Sequence, residues 1–189
     1  HVCALAGYDV GLYDISREAI ETGLATINGN MARQVRSEKI TEDERKAALE
    51  RISPASKFEQ FGDMDLIIES AVEDEEIKRK IFTELCPHLK ESCLIGSNTS
   101  SISITEMAAF TERPEKVIGM HFMNPVPMMK LVEVIRGLAT DDATTQAVME
   151  LAKELGKTPV EVNDFPGFVS NRVLMPMINE AIFALMEGV

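Results

Sequence analysis

Cysteine and large aromatic side chains are scarce in this chain: its 189 residues include no tryptophan, two tyrosines and three cysteines. The cysteines, Cys3, Cys86 and Cys93, are odd in number and scattered, and no C-x-x-C pair occurs among them. A disulfide framework or a zinc site is therefore not expected, and we expect reduced thiols in a cytoplasmic protein.

Long apolar runs and positive charge are also scarce. No stretch approaches the ~20 apolar residues of a membrane-spanning helix, and the first residues lack the basic and then apolar order of a signal peptide. Lys and Arg number 19 against 31 Asp and Glu, so the formal net charge is −12. This acidic balance argues against nucleic acid or an anionic membrane surface as a partner. An anionic ligand would need local hydrogen-bond donors and local cations.

The sequence does contain a regular alternation of apolar segments of strand length and amphipathic segments of helix length. Hydrophobic residues make up 45% and charged residues 26% of the chain, which is enough for a packed core. Strands alternating with helices predict an α/β fold with a doubly wound, Rossmann-like sheet. A Pro-Gly break divides a domain over 1–165 from the first helix, 166–189, of a second, helical domain. The predicted strands are 9–15, 65–72, 93–97, 117–122, 130–135 and 159–163; the predicted helices are 17–35, 41 through Ile52, 74–90, 141–156 and 169–187.

Asp14 lies at the end of the first predicted strand, where dinucleotide-binding folds have an acid that accepts hydrogen bonds from the adenosine ribose. Such an acid follows a G-x-G-x-x-G turn by ~20 residues, which places the glycines before residue 1. We therefore expect residues 1–189 alone to bind NAD poorly and to be a weak dehydrogenase. Asp14 disfavours NADP by repelling its 2′-phosphate, although Arg17 keeps NADP open. A simple helix-capping role for Asp14 also stays open.

Two further groups of polar residues lie within or just after predicted strands. Asn98-Thr99-Ser100-Ser101 follows a buried strand, at the edge where open α/β sheets bind ligands, although a capped turn explains these residues equally well. His121 and Glu133 lie on adjacent predicted strands, and Pro127 in the intervening loop is equidistant from both. Antiparallel pairing would put Glu133 opposite His121, where a carboxylate fixes the imidazole tautomer and stabilises the imidazolium. The pair is a candidate general base, with a satisfied structural histidine as the alternative.

Four segments resemble, in order, the signature segments of the 3-hydroxyacyl-CoA dehydrogenases, with the bacterial 3-hydroxybutyryl-CoA dehydrogenases as the nearest branch. The resemblance is collinear over essentially the whole chain. Phe122, directly after the histidine, separates the chain from the related gulonate dehydrogenases and lambda-crystallins, which have proline there. The segments are Asn98-Thr99-Ser100-Ser101, Gly119-Met120-His121-Phe122-Met123-Asn124-Pro125-Val126-Pro127, Met129-Lys130-Leu131-Val132-Glu133-Val134 and Pro166-Gly167-Phe168-Val169-Ser170-Asn171-Arg172.

This resemblance implies an NAD-dependent oxidoreductase of fatty acid metabolism that interconverts L-3-hydroxyacyl-CoA and 3-ketoacyl-CoA. It implies His121 as the general base and Glu133 as its orienting partner, without a metal ion. Ser100 and Asn171 would hydrogen-bond the reacting oxygen of the substrate. Contacts to NAD are implied for Asp14, Glu73, Lys78 and Asn124.

The resemblance also implies a glycine-rich loop before residue 1 and an all-helical C-terminal domain that forms a homodimer and covers the site. Without most of that domain, an apolar face of the last helix should be exposed, formed by Val173, Leu174, Met177 and Ile178. Weaker candidate CoA contacts lie on the helical hairpin; they are Arg33, Arg36 and Lys39. Two alternatives stay open: a non-catalytic, crystallin-like relative, and the dehydrogenase segment of a larger fused fatty-acid oxidation enzyme.

Overall fold

The computed structural model describes all 189 residues and contains seven strands and seven α-helices. The strands are β1 (Val10–Tyr13), β2 (Ile52–Ala55), β3 (Leu66–Glu69), β4 (Leu94–Ser97), β5 (Val117–Phe122), β6 (Leu131–Arg136) and β7 (Thr158–Asn163). Strands β1 and β2 form a parallel pair, and β3 to β7 form a five-stranded sheet in chain order. Every neighbouring pair in the larger sheet is parallel except β5 and β6.

Several helices begin at side-chain caps that the sequence predicts. Ser16 caps the second helix, and Thr41 with Glu44 forms a capping box at the third. Ser103 caps the fifth, so these starts are fixed by local hydrogen bonds to otherwise unpaired N–H groups. The helices are α1 (Val2–Leu5), α2 (Arg17–Arg36), α3 (Glu42–Glu50), α4 (Glu75–Leu85), α5 (Ile104–Ala108), α6 (Asp142–Glu154) and α7 (Ser170–Met186).

Alternate residues of β5 point to opposite sides of the sheet, and each side has its own apolar core. Val117 packs in a cluster with Phe82 of α4 and Met107 of α5. Ile118 packs in a second cluster with Val148 of α6. Because helices cover both faces of a mostly parallel sheet, the predicted doubly wound α/β fold is confirmed.

The pairing of β5 with β6 follows the prediction made from the loop between them. The two strands run antiparallel, and His121 lies directly opposite Glu133. Gly119 permits close packing at this point, since a Cβ atom there would lie 2.7 Å from Cβ of Ile135. A titratable pair is thereby fixed in the middle of an otherwise apolar part of the sheet.

The predicted end of the second helix is wrong. Helix α3 stops at Glu50, and Ile52 begins β2, which pairs in parallel with β1. Pro54 within this segment argues against a strand when the sequence is read locally. The pairing partner lies about forty residues earlier, with Leu12 opposite Pro54, so the strand depends on a contact that local periodicity does not reveal.

Two other boundaries are shorter than predicted. Strand β3 ends at Glu69, where the side chain of Glu69 accepts a hydrogen bond from the N–H of Ala71 and turns the chain. Helix α4 ends at Leu85 before a short 3₁₀ turn that contains Pro87. Proline lacks the N–H that a continuing helix needs, which accounts for the earlier end.

Helix α7 has no buried residue along its 17 positions. The apolar face predicted to be exposed is indeed exposed, with relative exposures of 60% for Val173, 41% for Leu174, 59% for Met177 and 44% for Ile178. The apolar surface of α7 is therefore open in residues 1–189. None of the helices combines the length and the apolar content that a membrane span requires.

Candidate active site

The predicted site residues gather where strands β3, β4 and β5 end. In open α/β sheets this edge is where ligands bind. Asn98, one residue after β4, accepts a hydrogen bond from the N–H of Phe122 through its Oδ1 at 2.9 Å. This bond ties the loop after β4 to the end of β5, so the Asn98–Ser101 segment and His121 are held in one rigid region.

His121 and Glu133 form a buried hydrogen-bonded pair. Nδ1 of His121 lies 2.8 Å from Oε2 of Glu133, and the side chains are 8% and 2% exposed. Since an ionised carboxylate can only accept, Nδ1 carries the proton and Nε2 has the free lone pair. The ring of Phe168 packs against the imidazole, with ring centroids 5.8 Å apart. This arrangement gives the imidazole one fixed orientation with Nε2 as the basic atom.

The second carboxylate oxygen of Glu133 is occupied as well. Oε1 accepts hydrogen bonds from the N–H of Val169 at 3.0 Å and of Ser170 at 2.8 Å. Burial raises the pKa of Glu133, but the hydrogen bonds from His121, Ser170 and Val169 outweigh it and hold that pKa below the usual value. Glu133 is therefore a carboxylate that joins β6 both to the histidine and to the start of α7.

Ser100 and Asn171 are brought together from distant parts of the sequence. Nδ2 of Asn171, in the first turn of α7, donates to the backbone carbonyl of Ser100 at 3.4 Å. Both residues are half-buried, so their polar atoms remain accessible. The four predicted catalytic residues thus form two contacting pairs, and both pairs involve the first turn of α7.

Glu73 holds the loop that contains Ser100. Its Oε1 accepts hydrogen bonds from the hydroxyl of Thr99 at 2.6 Å, the N–H groups of Ser100 and Ser101 at 2.8 Å each, and the hydroxyl of Ser101 at 2.9 Å. Burial raises the pKa of Glu73, but these hydrogen bonds and the nearby Lys78 outweigh it and lower that pKa. A residue expected to contact NAD therefore also supports a residue expected to contact the substrate.

Lys78 is fully buried, which the sequence did not indicate. Its Nζ lies 2.7 and 2.9 Å from the two oxygens of Glu69 and 3.9 Å from Oε2 of Glu73. Ser97 donates to Glu69 Oε2 at 2.6 Å. Glu69 is a site residue that sequence reasoning missed, and its signal was a carboxylate inside a nearly continuous apolar strand.

Asp14 and Asn124 are exposed at the ends of β1 and β5. Oδ1 of Asp14 accepts a hydrogen bond from the N–H of Ser16 at 2.9 Å, which leaves Oδ2 free. Asp14, Arg17 and Ser56 border a hollow of about 430 Å³ beside the end of β1. A free acid at a strand end beside such a hollow fits an adenosine ribose.

The other predicted contacts are less organised. The side chains of Arg33, Arg36 and Lys39 are exposed at and beyond the end of α2. Arg33 donates to Asn30 within the same helix, and nothing in the structure ties the three cations to the site. No group of three His, Cys, Asp or Glu side chains converges in a way that could hold a metal ion.

A doubly wound sheet with an acid at a strand end and a polar site at the carboxyl edge defines a dinucleotide-binding α/β protein. Residues 1–165 match the NAD-binding domain model of the 3-hydroxyacyl-CoA dehydrogenases. The chain belongs to the 3-hydroxyacyl-CoA dehydrogenase family.

Known proteins resemble the chain along nearly its whole length. A 3-hydroxybutyryl-CoA dehydrogenase from Bradyrhizobium diazoefficiens is 58% identical over 189 residues, which is all of this chain and 64% of that protein. The crystal structure of (S)-3-hydroxybutyryl-CoA dehydrogenase from Ralstonia eutropha superposes with a TM-score of 0.96 at 47% identity, covering 99% of this chain and 66% of that one. A fatty acid oxidation complex subunit alpha from Acinetobacter baylyi is 38% identical over 185 residues, 98% of this chain and 26% of that subunit. The lower identity does not favour the fused-enzyme alternative.

Proposed function

We propose that the full-length protein interconverts L-3-hydroxyacyl-CoA and 3-ketoacyl-CoA with NAD(H). The observation that carries this proposal is the buried His121–Glu133 pair next to the Ser100–Asn171 contact. A purely structural or crystallin-like role does not require a basic imidazole nitrogen, an ionised partner and two half-buried polar side chains in one place. The chain spans 64% of the first curated relatives it matches, so the activity of the whole protein is a proposal.

In the oxidation direction, Nε2 of His121 takes the proton of the substrate hydroxyl. The carboxylate of Glu133 stabilises the imidazolium that forms, and the same imidazolium returns the proton to the alkoxide in reverse. Ser100 and Asn171 hydrogen-bond the reacting oxygen and orient it toward His121. NAD, when bound, accepts the hydride. General acid–base help of this kind contributes ~10²–10⁴-fold to the rate, and positioning supplies much of the rest.

The proposed cofactor contacts differ in how well the structure supports them. Asp14 has a free carboxylate oxygen for the ribose and would repel the 2′-phosphate of NADP, so NAD is preferred. Asn124 is exposed after β5 and can reach a ligand. Glu73 and Lys78 are engaged with the protein itself, and their effect on NAD is proposed to be largely indirect.

We further propose that residues 1–165 and 166–189 belong to separate domains of a cytoplasmic homodimer. The unburied apolar residues of α7 support a further packing partner for that helix. No G-x-G-x-x-G sequence occurs within residues 1–189. For this reason we expect 1–189 alone to bind NAD weakly and to turn over slowly.

The test is the reduction of acetoacetyl-CoA by the full-length protein with NADH and with NADPH. We expect NADH to be preferred, and His121→Gln to lower kcat by ~10²–10⁴-fold. His88→Gln is the matched control, because His88 is exposed on the turn after α4, and it should leave kcat unchanged. Wild-type turnover in His121→Gln would refute the role of His121, and a preference for NADPH would refute the cofactor assignment.

A further inference from the structure

Glu133 contacts two elements of the site with two different oxygens. We propose that Glu133 is the positioning residue for Asn171 as well as for His121, so that one carboxylate fixes both the imidazole tautomer and the first turn of α7. The functional meaning of this inference rests on the proposed function, whereas the geometry it describes does not. The experiment below therefore includes measurements that are independent of turnover.

The start of α7 has no cap of its own. The residue before the helix is Val169, whose side chain cannot accept a hydrogen bond, and no side-chain cap is present within the segment. Helices normally satisfy their first N–H groups with a nearby Ser, Thr, Asp or Asn. Here Oε1 of Glu133, from a strand 36 residues earlier, accepts from Val169 and Ser170. The carboxylate of β6 thus acts as the missing cap of α7.

The turn that leads into α7 also needs an external support. Gly167 and Phe168 have φ angles of +82° and +50°, and non-glycine residues such as Phe168 rarely adopt this left-handed region. The turn directs the next two N–H groups at Glu133, while the Phe168 ring packs against His121. A strained conformation persists when its surroundings hold it on several sides. Glu133 and the His121 ring provide that support.

Asn171 follows Ser170 directly and contacts the Ser100 carbonyl. Its position therefore depends on how the first turn of α7 is held. A continuous path of contacts runs from His121 through Glu133 to the Ser170 N–H, and then to Asn171 and Ser100. Loss of the Glu133 carboxylate should disturb the proposed base and the proposed substrate contact together.

The pattern of donors makes a specific prediction for Glu133→Gln. Three donors face the carboxylate: the Nδ1–H of His121 on one oxygen, and two backbone N–H groups on the other. An amide has one oxygen, and turning its NH₂ group toward two backbone N–H groups would leave both of these donors unpaired. The amide oxygen is therefore expected to stay on Val169 and Ser170, and the NH₂ group must face Nδ1. His121 then becomes the Nε2–H tautomer, which cannot accept the substrate proton at Nε2.

Glu133→Gln and Glu133→Ala consequently have different expected effects. Glu133→Gln keeps the cap of α7 and changes only the tautomer, so kcat should fall ~10²–10³-fold with acyl-CoA affinity unchanged. A comparable Asp→Asn change in a serine-protease triad costs ~10⁴-fold, and the smaller value is expected because positioning shares the barrier. Glu133→Ala removes the cap too, so acyl-CoA affinity should also fall.

The experiment is NMR of the full-length protein labelled with ¹⁵N at histidine and at the backbone, together with steady-state kinetics. The ring signals of His121 are identified by their loss in His121→Gln. In wild type we expect the ring proton on Nδ1, and slow hydrogen exchange at the N–H groups of Val169 and Ser170. In Glu133→Gln the ring proton should move to Nε2 while both N–H groups stay protected. In Glu133→Ala the protection should be lost.

Coupling to Asn171 is tested by adding Asn171→Ala to each Glu133 variant. In the Glu133→Gln background the loss of acyl-CoA affinity should be as large as in wild type, and in the Glu133→Ala background it should be much smaller. Glu161→Gln is the matched control, because Glu161 lies exposed on the neighbouring strand β7 and pairs only with Arg136.

Two results would overturn the inference. The first is a ring proton that stays on Nδ1 in Glu133→Gln, and the second is unchanged protection of Val169 and Ser170 in Glu133→Ala. If Glu133→Ala does not fold, the position of the ring proton in Glu133→Gln alone decides. Failure of the proposed function has a different signature, in which the NMR results hold but neither His121 nor Glu133 affects turnover.

Discussion

Lys78→Met is expected to destabilise the protein strongly although it leaves the helix propensity of α4 nearly unchanged. The side chain of Lys78 is 1% exposed, and its Nζ contacts both oxygens of Glu69 at 2.7 and 2.9 Å. Methionine has a similar length but no charge, so Glu69 would remain buried without its cation. The carboxylate would keep only its bonds from the Ala71 N–H at 2.5 Å and the Ser97 hydroxyl at 2.6 Å.

The magnitude follows from this arrangement. Removing one partner of a buried ion pair costs ~3–5 kcal/mol, and the two remaining donors argue for the lower end, about 3 kcal/mol. A domain of ~150–250 residues loses ~2–4 °C in Tm for each kcal/mol. Lys78→Met should therefore lower Tm by ~6–12 °C.

The double variant Glu69→Gln/Lys78→Met should recover most of this loss. An amide at position 69 can accept from the Ala71 N–H and donate to the Ser97 hydroxyl, so no charge is left buried. Replacement of a whole buried pair by neutral groups is often close to neutral, and we expect a net cost below ~1.5 kcal/mol. Lys80→Met is the control on the same helix, because Lys80 is 74% exposed, and its effect should stay within ~0.5 kcal/mol.

The measurements are thermal and urea unfolding of the four proteins, followed by titration with NAD. An indirect role of Lys78 predicts that NAD affinity falls in Lys78→Met and returns in the double variant. Affinity that stays low in a stable double variant would instead support direct contact with the cofactor. A Lys78→Met protein that melts with wild type, or a double variant no more stable than the single one, would show that the buried-pair reasoning is wrong.

Two further predictions concern stability alone. The pKa values of Glu73, Glu133 and Asp164 are lowered from 4.5, 4.5 and 3.8, so each carboxylate contributes stability that is present above its unfolded pKa and is lost as the pH falls through its folded pKa. The urea midpoint should therefore fall between about pH 5 and pH 3, and less steeply in Asp164→Asn, whereas an equal slope in that variant would count against the assignment. Gly119→Ala should cost ~1–3 kcal/mol, because the added methyl group would meet the Cβ atom of Ile135 in a packed core. Gly23→Ala, which meets only Leu12 Cδ2 at 3.9 Å, should instead be neutral or stabilising, and equal losses in the two variants would contradict the packing argument.

Much of this protein was determined by local sequence patterns. Helix caps at Ser16, Thr41 and Ser103 act through hydrogen bonds to residues three positions away, so they can be read directly from the sequence. The His121–Glu133 pairing was also predictable, because a short proline-containing loop leaves few ways to join its two strands. Local geometry limits the alternatives in each case.

The tertiary structure decided what the site residues do. Strand β2 exists because β1 lies beside it, and Lys78 is buried because Glu69 and Ser97 converge on it from two different strands. The second oxygen of Glu133 meets Val169 and Ser170 across 36 and 37 residues of sequence. No periodicity or spacing encodes such contacts, because they form only when the sheet and α7 have packed together. The residue types of the site were therefore legible in the sequence, whereas the partner of each polar atom was fixed by the packing of distant segments.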